Sequence, residues 1–356
     1  MQFFIDSKKN NIKERRSFYF LSFLFLIIFV STFFLLAISD NVIFTIKNIS
    51  NKNMVASAFD VFNPTLAQLP IDENVMPVKI VLYKNAFDDI NLQAKSALAL
   101  DTATGKILYE HNKNLRTPLA SLAKIMTAII ASEMLDENTT IIIEKSDINT
   151  DGDLGLLVGE KWRFKDLLDF TLMTSSNDGV SAIASQVGRL LLHSSMVISA
   201  QTQNPKEIFV ERMNEKAREL GLEQTEFYNE SGLDMSAKKS GAYGTVEETA
   251  RLFEYILDTN PYLLEATTRK TAQFNSQNNI EHTAKNTNEF VESFSGFIGS
   301  KTGFTDLAGG NLGVVFDSGI GSPIIIVVLG STLDGRFEDV LKLYNASLAE
   351  VSQKVF

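Results

Sequence analysis

Ser121 and Lys124 stand three residues apart in the run Leu119-Ala120-Ser121-Leu122-Ala123-Lys124-Ile125-Met126-Thr127-Ala128-Ile129-Ile130. On a helix that spacing places both side chains on one face and in contact. A serine hydroxyl attacks poorly unless a neighbouring base takes its proton, and a lysine is a base only when neutral. Burial on an apolar helix disfavours the ammonium form, and so does a second cation nearby. The alternative is an ordinary helix-face lysine, but few polar residues surround this one, and an unpaired lysine is rarely buried. Ser121 therefore reads as a nucleophile and Lys124 as its general base.

Two further segments supply what such a pair lacks. In Ser175-Ser176-Asn177 the first hydroxyl can carry the proton on to a leaving amine, and the Asn177 amide donates and accepts at once. It suits a substrate peptide bond or the lysine ammonium. In Lys301-Thr302-Gly303 the cation and hydroxyl can hold a free carboxylate, and Lys301 is also the second cation that Lys124 needs. Gly303 leaves room for an extended substrate beside a strand edge. A developing oxyanion needs two backbone N–H donors, which Ser121 and Phe304 are placed to give. Each segment alone is weak, and together, in this order, they are hard to explain by chance.

The elements that must position them follow from the same sequence. Ser96–Leu100 and Lys106–Tyr109 flank the turn-forming Asp101-Thr102-Ala103-Thr104-Gly105, which predicts a hairpin. A buried helix is expected over 119–130, behind Pro118. The pattern is helical from Phe164 to about Leu192, broken at 174–178, and again from Ile208 to Leu220, closed by Gly221. Strands are expected at Gly299–Thr302, Asn311–Phe316 and Ile324–Leu329, then an amphipathic helix from Arg336 to Val351. Strands at both ends with helices between predict the α+β form of an α/β protein, an antiparallel sheet flanked by helices with a mainly helical subdomain.

Composition narrows the function. The chain has 356 residues, 45% hydrophobic, enough for a substantial core. A net charge of -10 argues against a nucleic-acid partner. Without cysteine there is no catalytic thiol, disulfide or thiolate metal site. The three histidines are far apart in sequence, so the helical pair of a zinc motif is missing. No metal and no cofactor is called for.

Phe18–Ala37 carries no charge and matches the roughly 20 residues that a helix needs to cross a bilayer. Lys8, Lys9, Lys13, Arg15 and Arg16 precede it, against Asp6 and Glu14, which orients the N-terminus inward. A cleaved signal peptide is the alternative, since Ala37-Ile38-Ser39 offers small residues, but its apolar core would run only about 7–15 residues. The expected organisation is a cytoplasmic tail at 1–17, a transmembrane anchor at 18–38 and a tether at 39–85. The catalytic domain follows at 86–356, outside the cytoplasm on a single-pass anchor in the cell membrane. No C-terminal domain is expected after the last helix.

From about Ala94 to Ala349 the sequence resembles the D-alanyl-D-alanine carboxypeptidases, the low-molecular-mass penicillin-binding proteins. The likeness takes in Asp101-x-x-x-Gly105-Lys106-x-Leu108-Tyr109, Ser121 to Ala128, Ser176-Asn177-Asp178 and Met213-Asn214. It continues through Leu220-Gly221-Leu222-x-x-Thr225-x-Phe227-x-Asn229, Ser231-Gly232-Leu233-Asp234, Asn286-Thr287-Asn288 and Gly299 to Thr305. Many members read Tyr-Ser-Thr where this chain has Tyr243-Gly244-Thr245, and many add a β-rich domain and an amphipathic membrane helix. The resemblance implies a β-lactamase/transpeptidase-like fold, an acyl-enzyme on Ser121, Lys124 as proton acceptor, Ser175 as relay and Lys301 as substrate contact. It also implies the peptide stem of peptidoglycan as substrate, release of terminal D-Ala, and β-lactams as covalent inhibitors.

An endopeptidase acting on cross-links is the nearest alternative activity. A class A-like β-lactamase would need a Glu-x-x-Leu-Asn segment, and between Ser181 and Leu222 only Glu211-Arg212-Met213-Asn214 comes near, with the wrong spacing. A non-enzymatic β-lactam sensor would need a cytoplasmic effector domain, for which the residues before the anchor are too few.

Overall fold

The computed structural model describes residues 85–148, 155–194 and 204–352, which fall in one compact unit. The expected tail, the anchor and nearly all of the tether lie outside the described residues. Among those described, no helix is long and apolar enough to cross a membrane.

Five antiparallel strands form the central sheet in the order β10-β11-β12-β1-β2. They are β1 (Ser96–Asp101), β2 (Lys106–His111), β10 (Phe297–Thr305), β11 (Gly309–Asp317) and β12 (Pro323–Ser331). Chain order thus places the two ends of the domain side by side, with Ala97 opposite Val328. Side chains alternate across a strand, and on β12 Ile325, Val327 and Leu329 enter one core while Ile324, Ile326 and Val328 enter the other. With both faces covered, every position must be apolar, hence the unbroken Ile324–Leu329 run. One face packs on the last helix (Gly335–Ser352) through Phe337, Val340, Leu343 and Tyr344.

The helical part covers the other face. It comprises α1 (Lys124–Met134), α2 (Phe164–Thr174), α3 (Asn177–His193), α4 (Pro205–Glu219) and α5 (Val246–Thr259), so the last helix is α6. The sequence pattern does not show the short pieces. Strands β3 (Thr117–Pro118), β6 (Glu226–Phe227) and β7 (Ala242–Gly244) make a small sheet in the order β3-β7-β6. Pairs β4 (Thr140–Ile142) with β5 (Lys161–Arg163), and β8 (Thr271–Asn275) with β9 (Glu281–Lys285), are also new.

Candidate active site

The expected helix at 119–130 begins differently. Ala120–Ala123 is a 3-10 turn, and the α-helix starts only at Lys124. The cause is tertiary. Gly232 packs so tightly on the Ala120 carbonyl that a Cβ there would overlap it, and Ala120 sits at φ 48°, in the left-handed region. A 3-10 turn has about three residues per turn, so positions i and i+3 eclipse. That brings Ser121 and Lys124 into line: Lys124 Nζ donates to Ser121 Oγ over 2.8 Å.

Lys124 is 1% exposed. It also donates to Asn177 Oδ1 (2.8 Å) and to the Ser231 carbonyl (3.2 Å). Burial lowers its pKa from 10.5 to about 7, and Glu230 works weakly against that shift. Near neutrality the amine form is therefore accessible, and a neutral Nζ can accept the Ser121 proton along the same 2.8 Å line. Of the two uses expected for Asn177, the structure places its oxygen on the lysine. The Ser231 carbonyl comes from the Ser231-Gly232-Leu233-Asp234 segment, which Thr127 Oγ1 holds against α1 through the Glu230 carbonyl (2.8 Å).

Ser175 ends α2 in the left-handed conformation (φ 63°, ψ 30°), and Ser176 then caps α3 by accepting from the Gly179 N–H at 3.0 Å. The sharp turn between two helices is what frees the Ser175 hydroxyl from either helix. Lys301 Nζ donates to it over 2.8 Å and to the Thr302 carbonyl over 2.8 Å. Lys301 is as buried as Lys124, and its pKa is pushed well below 10.5 by that burial, then by Lys124 and Arg336. An arriving carboxylate would supply the missing counter-charge and restore the ammonium form.

β10 is one of the two edge strands of the central sheet, and it approaches the nucleophile at Gly303. A Cβ there would stand 3.0 Å from the Leu119 carbonyl and 3.2 Å from both Ala120 Cβ and Ser121 N. The Ser300 N–H leaves the sheet to reach Thr267 Oγ1 at 3.0 Å, so the open edge bears the amides of even-numbered residues. Register is regular from Gly299 to Thr305, which turns the Phe304 N–H to that same open edge. The Phe304 side chain is 46% exposed at that edge. All eight residues singled out for the site thus meet in one place, in an arrangement that can support acyl transfer.

The profile of the family described as D-alanyl-D-alanine carboxypeptidase matches residues 83–332. The chain belongs to that family. A D-alanyl-D-alanine carboxypeptidase of Bacillus subtilis is 29% identical over 269 residues, which are 72% of this chain and 63% of the relative. The chain thus spans less than two thirds of that relative. A D-alanyl-D-alanine endopeptidase of Pseudomonas aeruginosa is 30% identical over 246 residues, 67% of this chain and 71% of the relative. The solved structure of penicillin-binding protein D2 from Listeria monocytogenes, in its ampicillin-bound form, is 26% identical with a TM-score of 0.59. The match covers 72% of this chain and 98% of that one.

Within this family architecture, some residues at the site were not singled out from sequence. Arg336, at the start of α6, is buried and donates to the Gly303 carbonyl over 2.8 Å. Burial lowers its pKa to about 10, against the opposing pull of Asp334 and Glu289. It is a third cation beside Lys301. Asp234 accepts from Thr305 Oγ1 (3.0 Å) and the Leu307 N–H (3.2 Å), which ties the β10–β11 turn to the loop that holds Lys124. Asn288 Nδ2 reaches Ser300 Oγ at 3.0 Å, and Thr287 Oγ1 lies 2.6 Å from Thr302 Oγ1. The Asn286-Thr287-Asn288 motif was legible as a likeness, with no role attached. Nothing local to Arg336 marks it, since its partner is 33 residues earlier in the chain.

Proposed function

We propose that this chain is a serine-type D-Ala–D-Ala carboxypeptidase that removes the terminal D-Ala of peptidoglycan stem peptides through an acyl-enzyme on Ser121. One observation carries the reading. A lysine buried to 1% exposure, with its pKa lowered to about 7, faces a serine hydroxyl at 2.8 Å beside an open strand edge.

Lys124 takes the Ser121 proton as Oγ attacks the penultimate carbonyl. The Ser121 and Phe304 amides stabilise the oxyanion, an arrangement worth about 10²–10³ in rate per donor. Ser175 carries the proton to the leaving D-Ala nitrogen, while Asn177 orients the substrate and Lys124. Lys301 and Thr302 hold the terminal carboxylate. Gly303 gives the substrate strand its space. Water then hydrolyses the ester, with Lys124 again as base. β-Lactams enter the same steps but leave a slowly hydrolysed acyl group.

Anchoring through Phe18–Ala37, with the catalytic domain outside the cytoplasm, belongs to the same reading and rests on the apolar run and the flanking charges. It would keep the site beside its wall substrate. An endopeptidase reading is favoured only by the names of relatives from Pseudomonas and Escherichia coli. Mass spectrometry of a stem pentapeptide and of a D-Ala cross-linked dimer, each incubated with the full chain, decides between them. Loss of one D-Ala from the pentapeptide is the expected result. Cleavage of the dimer alone would replace the carboxypeptidase reading, and an intact pentapeptide and dimer would remove both.

A further inference from the structure

Thr302 is 4% exposed, and its hydroxyl has one proton to give. In the proposed function that proton must point at the substrate's terminal carboxylate, so something else must donate to Thr302 Oγ1 or leave it alone. Thr287 is the group in contact, with its hydroxyl 2.6 Å away. The distance alone does not say which of the two hydroxyls is the donor. The surroundings of Thr287 do.

Thr287 Oγ1 has a second acceptor within reach, the Met173 carbonyl, at 3.4 Å. That is well beyond the roughly 2.5–3.0 Å of a good O–H···O bond, whereas the 2.6 Å to Thr302 lies inside it. The same carbonyl is already served by the Thr287 backbone N–H at 3.1 Å. The Thr287 proton is therefore better placed on Thr302 than on Met173. Its frame is fixed from both sides. Asn286 Nδ2 donates to the Thr267 and Arg269 carbonyls, and Asn288 Nδ2 to Ser300 Oγ on β10.

We propose that Thr287 is a positioning residue that donates to Thr302 Oγ1, so that the Thr302 proton points to the substrate's carboxylate. The inference rests on the functional reading above and deepens it. It gives the Asn286-Thr287-Asn288 motif a role, in which the two asparagines hold the backbone and the threonine between them sets the direction of one hydroxyl. Because Met173 lies two residues before Ser175, the same contact ties the carboxylate side of the site to the relay turn. The contacts of Thr287 with the site run through Thr302 and Met173.

The test uses the full chain with Thr287→Val, which keeps the branched shape and the backbone bond to Met173, and with Thr287→Ser, which keeps the hydroxyl. Three measurements are made: KM and kcat on a D-Ala–D-Ala peptide, the rate of acylation by benzylpenicillin, and affinity for a peptide boronic acid without a carboxylate. Thr287→Val should raise KM by about ten-fold, the scale of a hydrogen bond to a charged group. It should slow penicillin acylation similarly, and leave kcat and boronate affinity within about two-fold. Thr287→Ser should restore both carboxylate-dependent values. Unchanged KM and acylation in Thr287→Val would overturn the proposal. So would a parallel loss of boronate affinity, which would mean a collapsed site, or a Thr287→Ser variant as poor as Thr287→Val. A wild-type chain that takes penicillin and boronate but spares every D-Ala–D-Ala peptide would instead sink the functional reading, and the penicillin comparison would still judge Thr287.

Discussion

Lys124 and Lys301 are equally buried, and each turns its Nζ to a different serine hydroxyl, Ser121 and Ser175, over the same 2.8 Å. Burial lowers the proton affinity of both, and the charge of Lys124 lowers that of Lys301 further. Such a pair titrates as a unit. The division of labour then follows from what each lysine meets. Lys124 faces neutral acceptors, whereas Lys301 lies where a substrate carboxylate would dock.

The first prediction is a pH profile. Acylation requires neutral Lys124, so its rate should rise as pH passes about 7 and level off above. Removing the neighbouring cation with Lys301→Ala raises the pKa of Lys124, so the rising limb should move to higher pH. Lys124→Arg keeps the charge but cannot deprotonate, and it should lose about 10²–10⁴ in acylation rate at every pH. Stopped-flow acylation by benzylpenicillin reads all three proteins. A rising limb that stays in place in Lys301→Ala would show that the two lysines are not coupled.

Gly303 sets how closely β10 approaches the nucleophile. A Cβ would meet the Leu119 carbonyl at 3.0 Å and Ser121 N at 3.2 Å, tighter than ordinary contact, so Gly303→Ala must push strand and turn apart by a few tenths of an ångström. A misplacement of about 1 Å can cost about 10²-fold in rate, so this smaller shift should cost up to about ten-fold. The sheet itself should survive, because its other strands are untouched. Acylation kinetics and a thermal melt on the same sample check this, and a variant with wild-type kinetics would mean that the Ser121 amide is not at a critical distance.

Ser175 combines a hydroxyl with a left-handed backbone. Ser175→Ala and Ser175→Gly both remove the relay, and both should lose turnover by about 10²–10⁴. They should differ in stability, because Ala keeps the positive-φ strain that Gly relieves, by about 1 kcal/mol in favour of Gly. Urea denaturation measures the difference. Equal stability of the two would mean that the turn is not under strain.

Much of this site could be read before folding was considered. The Ser121–Lys124 contact follows from a spacing of three, which either kind of helical turn brings together, and β11 and β12 follow from apolar residues at successive positions. What escaped reading has a common cause. Arg336, the Ser231 carbonyl and Thr287 act on partners 33, 107 and 15 residues away, and no local pattern encodes such contacts. Strands of two or three residues, such as β3 and β6, are too short to show a period. The 3-10 turn at Ala120 escaped for a related reason. Alanine favours the α-helix, and the packing of Gly232 against its carbonyl, a contact far along the chain, works against that preference.

The last prediction concerns stability, and its sign follows from Lys124. Its pKa is about 7 in the folded chain and near 10.5 when unfolded, so between those values the unfolded state binds more protons. This lysine therefore burdens the fold at low pH, and the burden lifts as pH climbs from about 7 to 10.5. At about 1.4 kcal/mol per unit, the full cost below pH ~7 is on the order of 5 kcal/mol. Lys124→Met removes it but leaves Asn177 Oδ1 and the Ser231 carbonyl without this donor, at about 1 kcal/mol each or somewhat more. The variant should be inactive and yet more stable than the wild type by about 2 kcal/mol at about pH 6, with the advantage shrinking and then reversing toward about pH 10. Urea denaturation across that range measures it. A Lys124→Met chain less stable than wild type at about pH 6 would mean that the buried lysine is held by its hydrogen bonds more strongly than burial disfavours it, and the case for a poised neutral base would fail with it.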